Sequence, residues 1–150
     1  MLEALLCMSL NIYFEARSES VHGQIAVAEV TLNRVQSNEY PDSICGVVLQ
    51  ENKDGCQFSW WCDGRSDKPK EKHSFKRAKA IAKLMIEQGD YISVVGKEAT
   101  HYHTEDVTPY WSDNYIHVVQ IGKHIFYKKE NHPLLRPHNL IELIQGEHNE

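Results

Sequence analysis

Glu15 is the residue of this chain whose setting most suggests chemistry. Residues 2–17 carry Leu2, Leu5, Leu6, Met8, Leu10, Ile12, Tyr13, Phe14 and Ala16, which at about 100° per residue leaves almost no polar helix face. On that helix Glu15 shares a side with Ala4, Met8, Asn11 and Ile12. Burial disfavours the charged form of a carboxyl and raises its pKa, the preparation a general acid needs near neutral pH. The alternative is a helix-end glutamate paired with Arg17 or Arg34 at the surface. Glu19 would add a like charge nearby if the helix continues, and Glu29 edges the apolar side of the next helix beside Ile25. Each is a candidate second carboxylate, although such a residue is more often a solvated helix residue.

Three further groups carry potential chemistry. The segment 56–62, CQFSWWC, packs Phe58, Trp60 and Trp61 with Gln57 and Ser59 into seven positions. Aromatics on a loop can stack on the CH faces of sugar rings while Gln57 and Ser59 bond hydroxyls, or Phe58 and Trp60 can cap the core instead. His101 and His103 flank Tyr102, and in a strand both imidazoles would share one face with Tyr102 on the other. A Cys₂His₂ metal set with Cys56 and Cys62 is conceivable, but C-x5-C with H-x-H matches no common zinc spacing. No metal is expected, and Cys56 and Cys62 are read as a disulfide or two packed thiols. Cys7, inside the apolar helix, is expected to stay reduced. Motifs for P-loop, Rossmann, nucleophile-elbow and zincin chemistry are absent.

The elements that must position these residues follow from periodicity. After the first helix, residues 18–23 break the pattern, and a second helix over about 23–36 completes an αα-hairpin. Asp42 is expected to cap a short helix over 43–50. Residues 51–72 form a long, mostly irregular loop, a length that usually signals function. Residues 74–88 form an amphipathic helix stopped by Gly89. Short strands are then expected at 92–95, 101–103, 115–121 and 124–128, the last two joined by a type II′ turn at Gly122-Lys123. The fold class is α+β: mainly helical, with a small antiparallel β element in the C-terminal half.

Composition agrees with one domain over 1–150. The 150 residues are 41% apolar and 25% charged, with no apolar run near the ~20 residues of a membrane span, so no stable membrane insertion is expected. The N-terminal stretch lacks a basic n-region and a cleavage site and reads as a core helix rather than a signal peptide. Net charge is −5, yet residues 65–83 hold eight basic residues against Asp67 and Glu71, a strip of +6 on a remainder of −11. Such a strip suits an anionic partner or is a solvated helix face.

Ordered blocks of the chain resemble the SleB/CwlJ-type cell wall hydrolases, the spore cortex-lytic group. They are LNIYFEAR at 10–17, GQIAVAEVTLNRV at 23–35, YPDSIC at 40–45, CQFSW at 56–60 with CDG at 62–64, ATHYH at 99–103, PYW at 109–111 and IGKHIFY at 121–127. They span a family-like core of about 8–128, leaving 129–150 as a peripheral extension. The resemblance implies a lysozyme-like domain that cuts peptidoglycan glycan strands between N-acetylmuramic acid and N-acetylglucosamine. The glutamate of the E-A-R motif, Glu15, would be the acid, and the favoured reaction is lytic transglycosylation leaving 1,6-anhydro ends. Hydrolysis by water, or a non-catalytic glycan-binding module, are the alternatives. The expected substrate-binding set is Gln57, Phe58, Ser59, Trp60, Trp61, His101, Tyr102, His103 and Trp111. No cofactor, no nucleic acid and a monomer acting at the bacterial wall, in the periplasm or at the cell surface, are expected; a phage lysin made in the cytoplasm is one origin compatible with that. The family usually has Gly after E-A-R, where this chain has Ser18.

Overall fold

The computed structural model describes residues 3–129. Helix α1, Ala4–Ala16, runs through the interior with every residue from Cys7 to Tyr13 buried, as its nearly unbroken apolar circumference requires. Helix α2, Val21–Gln36, starts at Ser20, whose side chain accepts from the Gly23 N–H. The break expected at 18–23 is real but shorter and earlier, running from Arg17 to Ser20, and Ser18 occupies it without a positive φ. Helix α3, Ile44–Val48, and helix α4, Lys72–Gln88, pack on α1 from two other sides. Met8, Ile12 and Tyr13 meet Ala28 of α2 and Ala78, Ile81, Ala82 and Met85 of α4 in one apolar cluster.

Between α3 and α4 lie a two-stranded hairpin, β1 Glu51–Asn52 with β2 Gly55–Cys56, and a 3-10 turn at Ser59–Trp61. Three longer strands, β3 Ala99–Thr104, β4 Ile116–Ile121 and β5 His124–Lys128, form an antiparallel sheet in the order β3-β5-β4. Ile121 pairs with His124 across Gly122-Lys123, with Gly122 at φ 57° and Lys123 not positive, as a type II′ turn requires. Phe126 of the central strand packs on Ala26, Val27 and Val30 of α2 and so joins sheet to helices. Among the described residues no helix is long and apolar enough to cross a membrane.

Several expectations are corrected. Cys7 is not a reduced thiol: it is joined to Cys45, tying α1 to α3, while Cys56 is joined to Cys62. Residues 92–95 form no strand, because the Val94 and Val95 N–H groups donate to the Glu29 carboxylate at 2.7 and 2.8 Å instead of to a neighbouring strand. Ser43, not Asp42, caps α3, accepting from the Gly46 N–H. Gly89 ends α4 with an ordinary φ of −59°; its lack of a side chain matters because a Cβ would sit 2.8 Å from Leu32 Cδ1. The extension assigned to 129–150 lies outside the described residues except for Lys129, which bonds Glu39.

Candidate active site

Glu15 stands in the last turn of α1, where the buried helix meets a cavity of about 770 Å³. Tyr13, Phe14 and Arg17 of the same helix end line that cavity with it, together with Ser59 and Trp60 of the 3-10 turn and the segment from Asp63 to Glu71. The Tyr13 hydroxyl, on a fully buried ring, accepts the Lys70 and Glu71 N–H groups at 3.1 and 3.0 Å. Arg17 lies over the Tyr13 ring and pairs with Glu71 at 2.8 Å. The long loop expected from composition thus becomes one wall of the cavity, fastened to the helix that carries Glu15.

The Tyr102 hydroxyl donates to Glu15 Oε1 at 2.6 Å. Burial pushes the Glu15 carboxyl above the usual carboxylate range, while the Tyr102 hydrogen bond and the charges of His124 and Arg34 act in the opposite direction. Burial, with the Glu15 charge beside it, also raises the Tyr102 phenol well above its ordinary value, so it stays a donor. Arg34 is itself buried, with its Nε–H donated to the Thr100 carbonyl and its guanidinium against Tyr40 and Phe58. His124, buried beneath Tyr102, holds Nδ1 2.7 Å from Glu19 Oε1.

The other acidic candidates are committed elsewhere. α1 ends before Glu19, which turns toward His124 and the Lys123 N–H and adds no charge stacked on Glu15 along a continuing helix. Glu29 is neither solvated nor a cavity residue: it is 1% exposed and accepts from Ser93, Val94 and Val95.

The expected substrate-binding residues fall into three places. Ser59 and Trp60 border the cavity beside Glu15. Trp60 is 5% exposed, stacked on Phe14 with its indole N–H donated to Asn11 Oδ1 at 2.8 Å, and Phe58 is buried against the core; only Trp61 and Gln57 of the five loop residues remain open beyond Ser59. Strand alternation sends Tyr102 inward to Glu15, Phe126 and His124, while His101 and His103 point to the opposite sheet face. There they meet Trp111, with Tyr115 against His101 and Tyr127 against His103. Burial there, with Arg34 and Lys129 nearby, pushes His101 down to about 3, so it is neutral at ordinary pH.

No metal set joins the histidines to the cysteines. Among the described residues the one cluster of three ligating side chains is Glu51, Cys56 and Cys62, and both of its sulfurs are joined to each other. Arg34, His124 and Arg17 were not singled out as site residues from sequence. The GQIAVAEVTLNRV and IGKHIFY blocks that hold the first two were the available signal.

A helical layer with a small antiparallel sheet sets a buried glutamate in the wall of a cavity, the arrangement of a candidate acid–base site. Residues 18–127 match the family described as Cell Wall Hydrolase, and the chain belongs to that family. The match starts three positions after Glu15. The chain is similar to the spore cortex-lytic enzyme of Bacillus subtilis strain 168, 32% identical over 116 residues, covering 77% of this chain and 34% of the relative. That of Oceanobacillus iheyensis is 29% identical over 126 residues, covering 81% and 40%. This chain therefore spans about 40% or less of these curated relatives. Among solved structures it resembles the catalytic domain of the germination-specific lytic transglycosylase SleB from Bacillus anthracis, with TM-score 0.65 and 31% identity over 83% of this chain and 93% of that one. The catalytic domain of the Bacillus cereus SleB protein gives TM-score 0.62 and 29% identity, covering 83% and 89%.

Proposed function

We propose that this chain cleaves the glycan strands of peptidoglycan between N-acetylmuramic acid and N-acetylglucosamine, as a lytic transglycosylase with Glu15 as general acid. The observation that carries the reading is a Glu15 carboxyl at the cavity wall, held above the ordinary range by burial and oriented by the Tyr102 hydroxyl. The family and the likeness to a structure titled as a lytic transglycosylase support it.

Protonated Glu15 gives its proton to the glycosidic oxygen as the C1–O bond breaks, leaving positive charge at C1 of the muramyl ring. The muramyl 6-hydroxyl then bonds C1 and loses its proton to the Glu15 carboxylate. The product is a 1,6-anhydro end, and the acid is restored. One carboxyl serves both steps, which suits a site where Glu71 is paired with Arg17 and Glu19 and Glu29 are turned away. Neither step calls for a metal, since there is no carbonyl to polarise and no water to activate. That Ser59 and Trp60 line the cavity supports a role for them in holding the sugar, and the two cysteine bridges suit an oxidising, wall-facing compartment. The protein acts as a monomer on its polymer.

Glu15→Gln should keep the fold and reduce cleavage of purified peptidoglycan by at least ~10²-fold. Mass spectrometry of the wild-type digest should show ends lighter by one water than hydrolysis products. Reducing ends without the anhydro bridge would instead identify a muramidase using the same acid. Retention of more than about a tenth of wild-type activity by Glu15→Gln, where general acids contribute ~10²–10⁴-fold, would falsify the assignment of Glu15.

A further inference from the structure

The basic strip of the sequence divides in the fold. Lys76, Lys79 and Lys83 lie on the exposed side of α4, whereas Arg65, Lys68 and Lys70 line the Glu15 cavity. None of the three carboxylates next to them in the chain, Asp63, Asp67 and Glu71, forms an ion pair with those three. Glu71 is engaged by Arg17 at 2.8 Å, and Asp63 accepts the Arg65 backbone N–H. Among the described residues no carboxylate lies within ion-pair distance of the Arg65, Lys68 or Lys70 side chains. Tyr13 and Arg17 fasten the end of the loop, at Lys70 and Glu71, to α1. The positive wall is also not a sample of a generally basic surface, since the chain outside 65–83 is strongly acidic.

We propose that Arg65, Lys68 and Lys70 form an anion subsite beside Glu15 that takes a carboxylate carried on the muramyl side of the substrate. The inference rests on the glycan-cleavage reading above and adds what the cavity recognises beyond the sugar rings. The rings themselves are uncharged. The muramyl residue, however, bears a lactyl ether that ends either in a free carboxylate or in a peptide with carboxylates of its own. A cavity with Glu15 at one side and, on another, three cations outside any ion pair, which with Arg17 outnumber the lining carboxylates Asp63 and Glu71, favours a glycan with an anionic branch close to the cleaved bond. Each contact is exposed to solvent and therefore modest, and the set together should change kcat/KM by about threefold to tenfold at low salt.

The test uses three forms of purified sacculi: native, carboxyl-amidated with carbodiimide and ammonia, and amidase-stripped strands that keep lactyl carboxylates but lack peptides. On native sacculi the triple variant Arg65→Gln, Lys68→Gln, Lys70→Gln should lose about threefold to tenfold in kcat/KM. Amidation should cost the wild type a similar factor and bring the ratio of wild type to variant toward one. Lys68→Arg with Lys70→Arg, which keeps both charges, should lose less on native sacculi than Lys68→Gln with Lys70→Gln and should keep its sensitivity to amidation; an equal loss in the two pairs would overturn a charge-based subsite. On stripped strands, a preserved ratio assigns the lactyl carboxylate and a lost ratio assigns the peptide. Equal wild-type rates on native and amidated sacculi, or the same variant deficit on both, would overturn the subsite. Glu15→Gln separates the two readings: cleavage of amidated sacculi by that variant sinks the catalytic proposal, whereas an active wild type indifferent to amidation sinks only the subsite.

Discussion

Glu15 and Tyr102 are 87 positions apart, yet their oxygens meet at 2.6 Å. The bond favours the charged form of Glu15, while burial favours the neutral form and is the larger influence. Tyr102→Phe removes only the first of these, so the Glu15 pKa should rise further. If loss of the Glu15 proton sets the alkaline limb of kcat/KM, that limb should move to higher pH in Tyr102→Phe; a limb that stays or moves down shows that another group controls it. A linked effect appears in stability. A carboxyl whose pKa is raised by folding contributes fully below its unfolded pKa and loses that contribution as pH rises through the folded value. Glu15→Gln should therefore gain stability relative to wild type as pH climbs from the ordinary carboxylate range through the raised one. Denaturant melts across that window check it, and a difference independent of pH would refute it.

At the scale of elements, Glu29 shows how one buried side chain can replace a strand pairing. Its carboxylate accepts from Ser93 Oγ at 2.9 Å and from the Val94 and Val95 N–H groups, with Lys97 Nζ at 3.9 Å. Those bonds dock the segment between α4 and β3 onto α2, beside Asn33, whose amide donates to the Gly96 and Ala99 carbonyls at 2.8 Å. Glu29→Ala would orphan these donors, and the expected loss is about 3–5 kcal/mol in denaturant unfolding. Glu29→Gln, which keeps one acceptor oxygen, should lose less. A change below about 1 kcal/mol in the alanine variant would mean that the segment is held by apolar contacts alone.

Over the whole molecule, the bridge between Cys7 and Cys45 spans a sequence separation of 38 and binds the central helix to α3, next to Val47, Val48, Phe58 and Trp60. That cluster supports the turn from which Ser59 and Trp60 reach the cavity. Limiting the unfolded chain over such a loop is worth about 3–4 kcal/mol by the chain-entropy relation. Cys7→Ala with Cys45→Ala should lower unfolding free energy by about that amount, while the shorter Cys56 to Cys62 loop should contribute less. Equal losses for the two pairs in denaturant melts would contradict a loop-entropy origin.

The α+β class, the buried first helix, its glutamate and the Gly122-Lys123 turn were all legible in the sequence, because each depends on periodicity or turn chemistry among near neighbours. Strand alternation likewise foretold that His101 and His103 part company with Tyr102. Which of the two faces meets Glu15 was not legible. That is decided by Phe126 and Tyr102 packing inward on the helices, and it leaves the histidines with Trp111 on the far side. The partners of Cys7 and Glu29 were hidden for the same reason: separations of 38 and of 64 to 66 residues close only when helices and sheet stack in one arrangement. The sequence by itself determined the four helices, the strands at 101–103, 115–121 and 124–128 and the apolar surroundings of Glu15, though not the loss of a strand at 92–95 or the burial of Glu29. Tertiary packing alone decided what each polar group meets, because an interior that excludes water leaves a buried donor or acceptor only the partners that the stacked layers bring to it.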